Sequence, residues 1–422
     1  MDWTRRGFLG AVPAAAAGGA SALRGETGVL PAAGHGDGEP HGGPSRAPFH
    51  QDPLGVRADF PVANSETYLN APYITPSPTP VVEAAARFIE RKATDPVSLG
   101  DMLAQVDRVR AGFAGLVGAA EEEVGTLFAT SDGENVVTRA LDLGRGDNVV
   151  VDDLHYETTY LLYEELARTR GVELRIVESV DGAAPAERYE PWVDGNTRLI
   201  SVSWVSHQNG YRHDLRSLAE VAHDRDAYLY VDAIQGVGAL ELDVRRTGVD
   251  FLTAGTYKWL LGGFGVAPFY VRQELLDLIE PDRYGSLHID GGGPTRDFSI
   301  YGDGRKYGYA TMSFGAVYQL GAALEYLDRV GVARIEAHAI PLAQTLRAGL
   351  VEQGFRVRTP EGNRSPIVAF VHGRTPDTVA SALEEAGVRV SLREEGTQVR
   401  AGIALFNTQE DVDRLLAVTA GL

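Results

Sequence analysis

The residues Tyr228-Leu229-Tyr230-Val231-Asp232-Ala233-Ile234-Gln235, with Phe251-Leu252-Thr253-Ala254-Gly255-Thr256-Tyr257-Lys258-Trp259-Leu260 downstream, decide how this chain is read. Each segment is an apolar, β-prone run that ends in a polar group. Asp232 closes the first run, where burying a carboxylate without a partner is costly. Lys258 lies between Tyr257 and Trp259, ahead of Leu260-Leu261 and the turn Gly262-Gly263-Phe264-Gly265. Such surroundings disfavour its ammonium form and favour a nucleophilic amine. Taken singly, Asp232 could cap a turn and Lys258 could snorkel to water. Together, on successive βα units, they point to one site at the carboxyl ends of parallel strands.

Outward from this pair, strand-like and helical patterns alternate. The runs beginning at Val124, Asn148, Leu174, Leu199, Tyr228, Phe251 and Val266 read as strands, and those beginning at Glu134, Glu157 and Asp214 as helices. Several strands are apolar almost throughout, as when helices cover both faces of a sheet. The expectation is α/β: a large domain with a mainly parallel, seven-stranded-type sheet sandwiched by helices. After about Gly304 long amphipathic helices precede short strands, which predicts a smaller α+β C-terminal domain. The expected boundaries are a signal at 1–22, a disordered linker at 23–57 and an N-terminal segment at 58–80 that packs on the small domain. The large domain then covers 81–303 and the small domain 304–422.

The first residues read as an address. Arg5-Arg6 precedes a short Ala/Gly-rich apolar stretch, and Ala20-Ser21-Ala22 offers a small-residue cleavage site. This is the pattern of a twin-arginine (Tat-type) export signal, which implies a periplasmic or extracellular destination, with the cytoplasm as the alternative. Residues 23–57 are rich in Gly, Pro and His and cannot bury enough apolar surface to fold alone.

Composition narrows the chemistry. The 422 residues are 44% hydrophobic and 23% charged, an ordinary globular balance with ample material for a core. A net charge of −19 argues against nucleic acid as a partner. No apolar run approaches the roughly 20 residues a membrane span needs. The chain has no cysteine, which removes thiol nucleophiles and thiolate metal sites, and no His-Glu-x-x-His spacing occurs, so no metal is expected. Lys92, Lys258 and Lys306 are its three lysines, and arginine supplies the rest of the 39 cationic side chains.

An amine and a carboxylate in one pocket suit pyridoxal 5′-phosphate. That cofactor needs an amine for its Schiff base and an acid to keep its pyridine nitrogen protonated. The surrounding motifs carry a resemblance. Tyr68-Leu69-Asn70-Ala71-Pro72, Val231-Asp232-Ala233-Ile234-Gln235, Thr256-Tyr257-Lys258-Trp259-Leu260 and the block from Val399-Arg400 to Asn407-Thr408 are similar to motifs of the class V aminotransferase-like enzymes of fold type I. That group includes cysteine desulfurases, selenocysteine lyases, kynureninases and isopenicillin N epimerase-like proteins.

The resemblance implies roles. Lys258 would form the Schiff base, Asp232 meet the pyridine nitrogen and Gln235 the ring hydroxyl, with Thr256 and Tyr257 in the lysine motif and Tyr257 reaching the phosphate. Ser131, Asp132 and Gly133 lie where the family cradles phosphate at a strand-to-helix turn. Tyr156, or else His155, occupies the ring-stacking slot. His207 stands where relatives often have Asn. Arg400 would clamp the substrate carboxylate, with Arg393 and Asn70 near it. Thr311 resembles a threonine that reaches the partner subunit's phosphate, which implies a homodimer with shared active sites.

The expected function is therefore amino transfer or C–S β-elimination on an amino acid or amino-acid-derived metabolite, with Lys258 as the base at Cα. Epimerisation is the alternative and needs a second acid/base, for which His155 or Tyr156 is the candidate. An exported binding protein with an inactive fold is the non-enzymatic alternative. Relatives that carry sulfur on a protein cysteine hold it between two C-terminal arginines. Here only Glu394–Val399 separates Arg393 from Arg400 and no cysteine exists, so that activity is expected to be absent.

Overall fold

The computed structural model describes residues 52–292 and 296–422. The expected export signal and the expected linker up to residue 51 lie outside the described residues. Seven strands form the main sheet: β1 (Val124–Leu127), β2 (Asn148–Asp152), β3 (Glu173–Val177), β4 (Thr197–Ser203), β5 (Tyr228–Asp232), β6 (Phe251–Thr253) and β7 (Ala267–Val271). Their order across the sheet is β1-β7-β6-β5-β4-β2-β3. Strands β2 to β6 run parallel, whereas β7 is antiparallel to both β6 and β1. The mostly parallel seven-stranded sheet matches the expectation. Its apolar runs follow from burial on both faces: Leu229 and Val231 enter one core cluster, and Tyr230 between them enters the other.

Strands expected to begin at Leu174, Leu199 and Val266 begin within two residues of those positions, and one helix start differs more. The helix expected to begin at Glu134 spans Thr130–Ala140 and so includes Gly133. Asp132 turns its carboxylate back onto the backbone N–H groups of Phe128 and Ala129, at 3.2 and 3.0 Å, which satisfies donors at the helix start.

The C-terminal sheet is antiparallel. It comprises β8 (Arg356–Val357), β9 (Ile367–Val371), β10 (Ser391–Arg393) and β11 (Gln398–Gly402), in the order β8-β9-β11-β10. Helices Val332–Glu352, Pro376–Glu385 and Gln409–Ala420 supply Leu346, Leu350, Val379, Leu383, Val412 and Leu415 to its core. Thr67–Tyr68 pairs in parallel with Val388–Arg389, which ties the N-terminal segment to this part of the chain. Arg57, the last residue of the expected linker, is buried and ion-paired to Asp411 at 2.7 Å. Helix Phe314–Val330 lies beyond residue 304, yet it packs into the core of the large sheet with Val109 and Phe113. Among the described residues no helix is long and apolar enough to cross a membrane.

Candidate active site

Asp232 and Thr253 end adjacent parallel strands and are partners in register. One oxygen of Asp232 accepts the Ile234 N–H at 3.0 Å; among the described residues the other receives no hydrogen bond. Burial pushes this carboxyl up to about 6, while the Ile234 N–H and the charge of Lys258 pull it down. Lys258 follows Thr253 by one short turn, and its Nζ, 5.7 Å from the centre of the Tyr257 ring, makes no hydrogen bond or ion pair among the described residues. Burial, and then the charge of Arg400, push its amine down to about 7 against the pull of Asp232.

The two loops are locked together. Leu261 adopts a left-handed φ of 59° and returns its N–H to the Lys258 carbonyl at 2.8 Å, so the chain bends sharply after the lysine. On the Asp232 loop, Gly238 has φ of 96°, and a Cβ there would sit 2.3 Å from the Trp259 carbonyl oxygen. Gln235 joins three segments. Its Oε1 accepts the Trp259 indole N–H at 3.0 Å, and its Nε2 donates to the Pro72 carbonyl at 2.9 Å. An amide nitrogen carries two hydrogens, so one remains for the ring hydroxyl that the resemblance assigns to Gln235.

The anion-binding end is built at the start of helix Thr130–Ala140. Thr130 Oγ1 accepts the Gly255 N–H at 3.0 Å, which brings the helix N-terminus against the lysine loop. First-turn N–H groups and the helix dipole favour a phosphate there, and Ser131 is exposed at this end. Several other residues expected to bind cofactor also make contacts within the protein. The Asp132 carboxylate holds the helix start and pairs with Arg283 at 3.3 Å. Gly133 faces the sheet, where a Cβ would lie 1.9 Å from Thr253 Oγ1; glycine is there for close helix–sheet approach. Thr256 is buried, and its hydroxyl turns to the carbonyls of Gly263 and Val266, so it fixes the glycine turn. Tyr257 stacks on Phe264 with ring centroids 4.5 Å apart. Thr311 is exposed on this chain and touches none of these groups.

Of the two candidates for stacking on a ring, the structure separates the roles. His155 is fully buried: Nδ1 accepts the Tyr156 N–H at 2.7 Å, and Nε2 lies 3.1 Å from Ser201 Oγ. Burial pushes this imidazole down to about 3, and both nitrogens are engaged within the protein. Tyr156 is 43% exposed, and its ring meets that of His207 edge-on at 5.2 Å. Behind His155 lies Glu134, which the sequence reading missed. It accepts from Ser201, Tyr163 and Thr159 at 2.5, 2.9 and 3.0 Å, and burial pushes it up to about 7 despite these donors. An acid at the start of a helix gave no signal of its own, because all three partners are distant in sequence.

Arg400 is buried on β11. Its Nη1 donates to the His207 carbonyl at 2.7 Å and its Nη2 to Ser391 Oγ at 3.1 Å; Ser391 in turn donates to Asn70 Oδ1. Its Nε has no protein partner, and no carboxylate lies within ion-pairing distance among the described residues. Loss of solvation holds this guanidinium down to about 9. A buried guanidinium left in this condition has the chemistry to receive an anionic group. Arg393, on the same face of β10 as Ser391, pairs loosely with Glu157 at 3.4 Å, and Glu157 also lies 3.2 Å from His207 Nε2. Glu157 is a second residue the sequence reading missed.

A buried carboxyl with one oxygen that receives no hydrogen bond, a neutral-leaning amine, a helix N-terminus and a buried guanidinium are the groups that pyridoxal phosphate chemistry calls for. A family model described as aminotransferase class-V matches residues 67–415. The chain belongs to the aminotransferase class-V family. Members of the class V family use pyridoxal phosphate. Among relatives, a probable cysteine desulfurase of Methanothermobacter thermautotrophicus is 30% identical, over 85% of this chain and 95% of its own length. An uncharacterized aminotransferase of Bacillus subtilis is 27% identical, over 87% of this chain and 98% of its own. The apo cysteine desulfurase structure from Thermococcus onnurineus superposes with a TM-score of 0.79 at 26% identity, covering 88% of this chain and 98% of that one. The class V fold here is therefore fold type I.

Proposed function

We propose that this class V enzyme acts on an amino acid or amino-acid-derived metabolite, by amino transfer or by C–S β-elimination. The observation that carries the reading is the Asp232–Lys258 pair: a buried acid with one oxygen undonated and an amine pushed toward neutrality, at the tips of neighbouring strands. When bound, the cofactor supplies an electron sink for the carbon that bears the amino group.

The residues of the chain do the rest. Asp232 holds the proton on the ring nitrogen. Lys258 Nζ provides the cofactor's attachment and, once released, moves the proton at the substrate Cα. The helix N-terminus at Thr130 and Ser131, with Tyr257, holds the phosphate, and Tyr156 covers the ring. Arg400, braced by Ser391 and Asn70, orients the α-carboxylate. The exposed Thr311 fits the expectation of a homodimer in which it reaches the partner subunit's site.

Two relatives' names invoke cysteine desulfuration, but this chain has no thiol to receive sulfur. Between Arg393 and Arg400 it makes a tight turn with Glu394, Glu395 and Gly396 at positive φ. These facts support a reading in which no persulfide is carried on the protein. Export rests on Arg5-Arg6, the apolar stretch after it and Ala20-Ser21-Ala22, and is tested by fractionating cells that produce the full chain.

The decisive experiment is spectral. Purified protein given pyridoxal phosphate should gain a band near the visible edge that Lys258→Ala lacks. A colourless protein that takes up no cofactor would overturn the reading in favour of a binding protein. A panel of amino acids then separates the branches: keto-acid formation with the amino group left on the cofactor means transfer, pyruvate release means β-elimination, and α-hydrogen exchange without turnover means epimerisation.

A further inference from the structure

His207 is 4% exposed and is held from three sides. Its Nε2 lies 3.2 Å from Glu157 Oε1, its carbonyl accepts Arg400 Nη1 at 2.7 Å, and the Tyr156 ring meets it edge-on. Its Nδ1 is buried and has no protein partner, and the same is true of Arg400 Nε. Buried polar atoms are nearly always paired in folded proteins. Here two unpaired ones lie on residues joined by a hydrogen bond, and the guanidinium among them lacks a carboxylate partner among the described residues.

We propose that His207 and Arg400 form a single receptor for the substrate carboxylate, and that His207 takes a proton from solvent as the anion binds. The inference rests on the class V reading of the site and adds to it a proton-coupled substrate clamp. In the bound state the imidazolium donates from Nε2 to Glu157 and from Nδ1 to the carboxylate.

The charges around the ring set the direction of coupling. Arg393 from β10 and Arg400 from β11 disfavour a proton on His207, while Glu157 from the facing helix favours one. Burial outweighs Glu157, so without an anion the ring is held below its ordinary value and is neutral near pH 7. A carboxylate placed against Nδ1 and Arg400 adds the missing negative charge, and binding and protonation then favour each other. An amide at this position would donate to the carboxylate with no proton taken up.

The test is calorimetric titration of the cofactor-loaded enzyme with propionate, near neutral pH, in two buffers of different ionisation enthalpy. The expected result is uptake of about one proton per propionate, with affinity falling up to about tenfold per pH unit above neutrality. His207→Asn should bind propionate without proton uptake and with little pH dependence. Wild-type binding without proton uptake, or equal uptake in His207→Asn, would overturn the proposal. The wild-type measurement alone decides if the variant does not fold. The class V reading fails separately, on the cofactor band: a coloured enzyme without proton uptake loses only the His207 inference.

Discussion

Asp232 and Thr253 face each other in register at the last rungs of β5 and β6, so the acid and the turn that delivers Lys258 leave the sheet side by side. The same edge carries Asp152 at the end of β2 and Ser203 at the end of β4. Parallel strands put these tips at one end of the sheet, together with Val177 of β3 and Leu127 of β1. The chemistry therefore depends on contacts made by loops that rise from a common floor.

Replacing Asp232 by Asn keeps the size of the side chain but removes the charge proposed to hold a proton on the cofactor's ring nitrogen. Cofactor uptake should survive, and kcat should fall on the order of 100-fold or more. Spectral titration against steady-state kinetics separates the two effects.

Because burial and Arg400 push the Lys258 amine down to about 7, its nucleophilic form grows as pH rises through that value. The rate at which apo-protein captures pyridoxal phosphate should climb with pH and level off above it. A midpoint near the ordinary lysine value would contradict the assigned surroundings.

The Asp132 carboxylate sits at the helix start beside the anion-binding end, and Arg283 neutralises it at 3.3 Å. Arg283→Ala should speed cofactor loss by roughly three- to tenfold, as suits a partly exposed ion pair. Adding Asp132→Asn should recover most of the deficit. Cofactor release during dialysis measures both.

Glu134 is raised to about 7 in the fold from an ordinary value of 4.5. Its contribution to stability is therefore complete below about 4.5 and is lost as pH rises through about 7. Urea unfolding of the apo-protein should show this slope, and Glu134→Gln should flatten it in that window.

Gly133→Ala would drive a methyl group to 1.9 Å from Thr253 Oγ1. The helix must shift or Thr253 must rotate, at a cost of about 1–3 kcal/mol. A lower urea midpoint together with weaker cofactor retention would register both the strain and the displaced helix N-terminus.

Much of this molecule was legible in its sequence because the signals are local. Apolar runs at strand spacing gave the sheet, since its central strands are buried on both faces. The scarcity of lysine singled out Lys258, and Asp232 announced itself as a charge at the end of a buried run. What only the tertiary structure decided was which polar atoms remain available once the chain has packed. His155 is used by Ser201 and Tyr156, Thr256 by two carbonyls, and Gly133 by the approach of a helix to β6. Asp132 meets Arg283 across 151 residues, and Arg400 meets His207 across 193. Residue type and spacing fix what a side chain can donate or accept. Which partner it meets depends on how distant segments come together, and no local pattern records that.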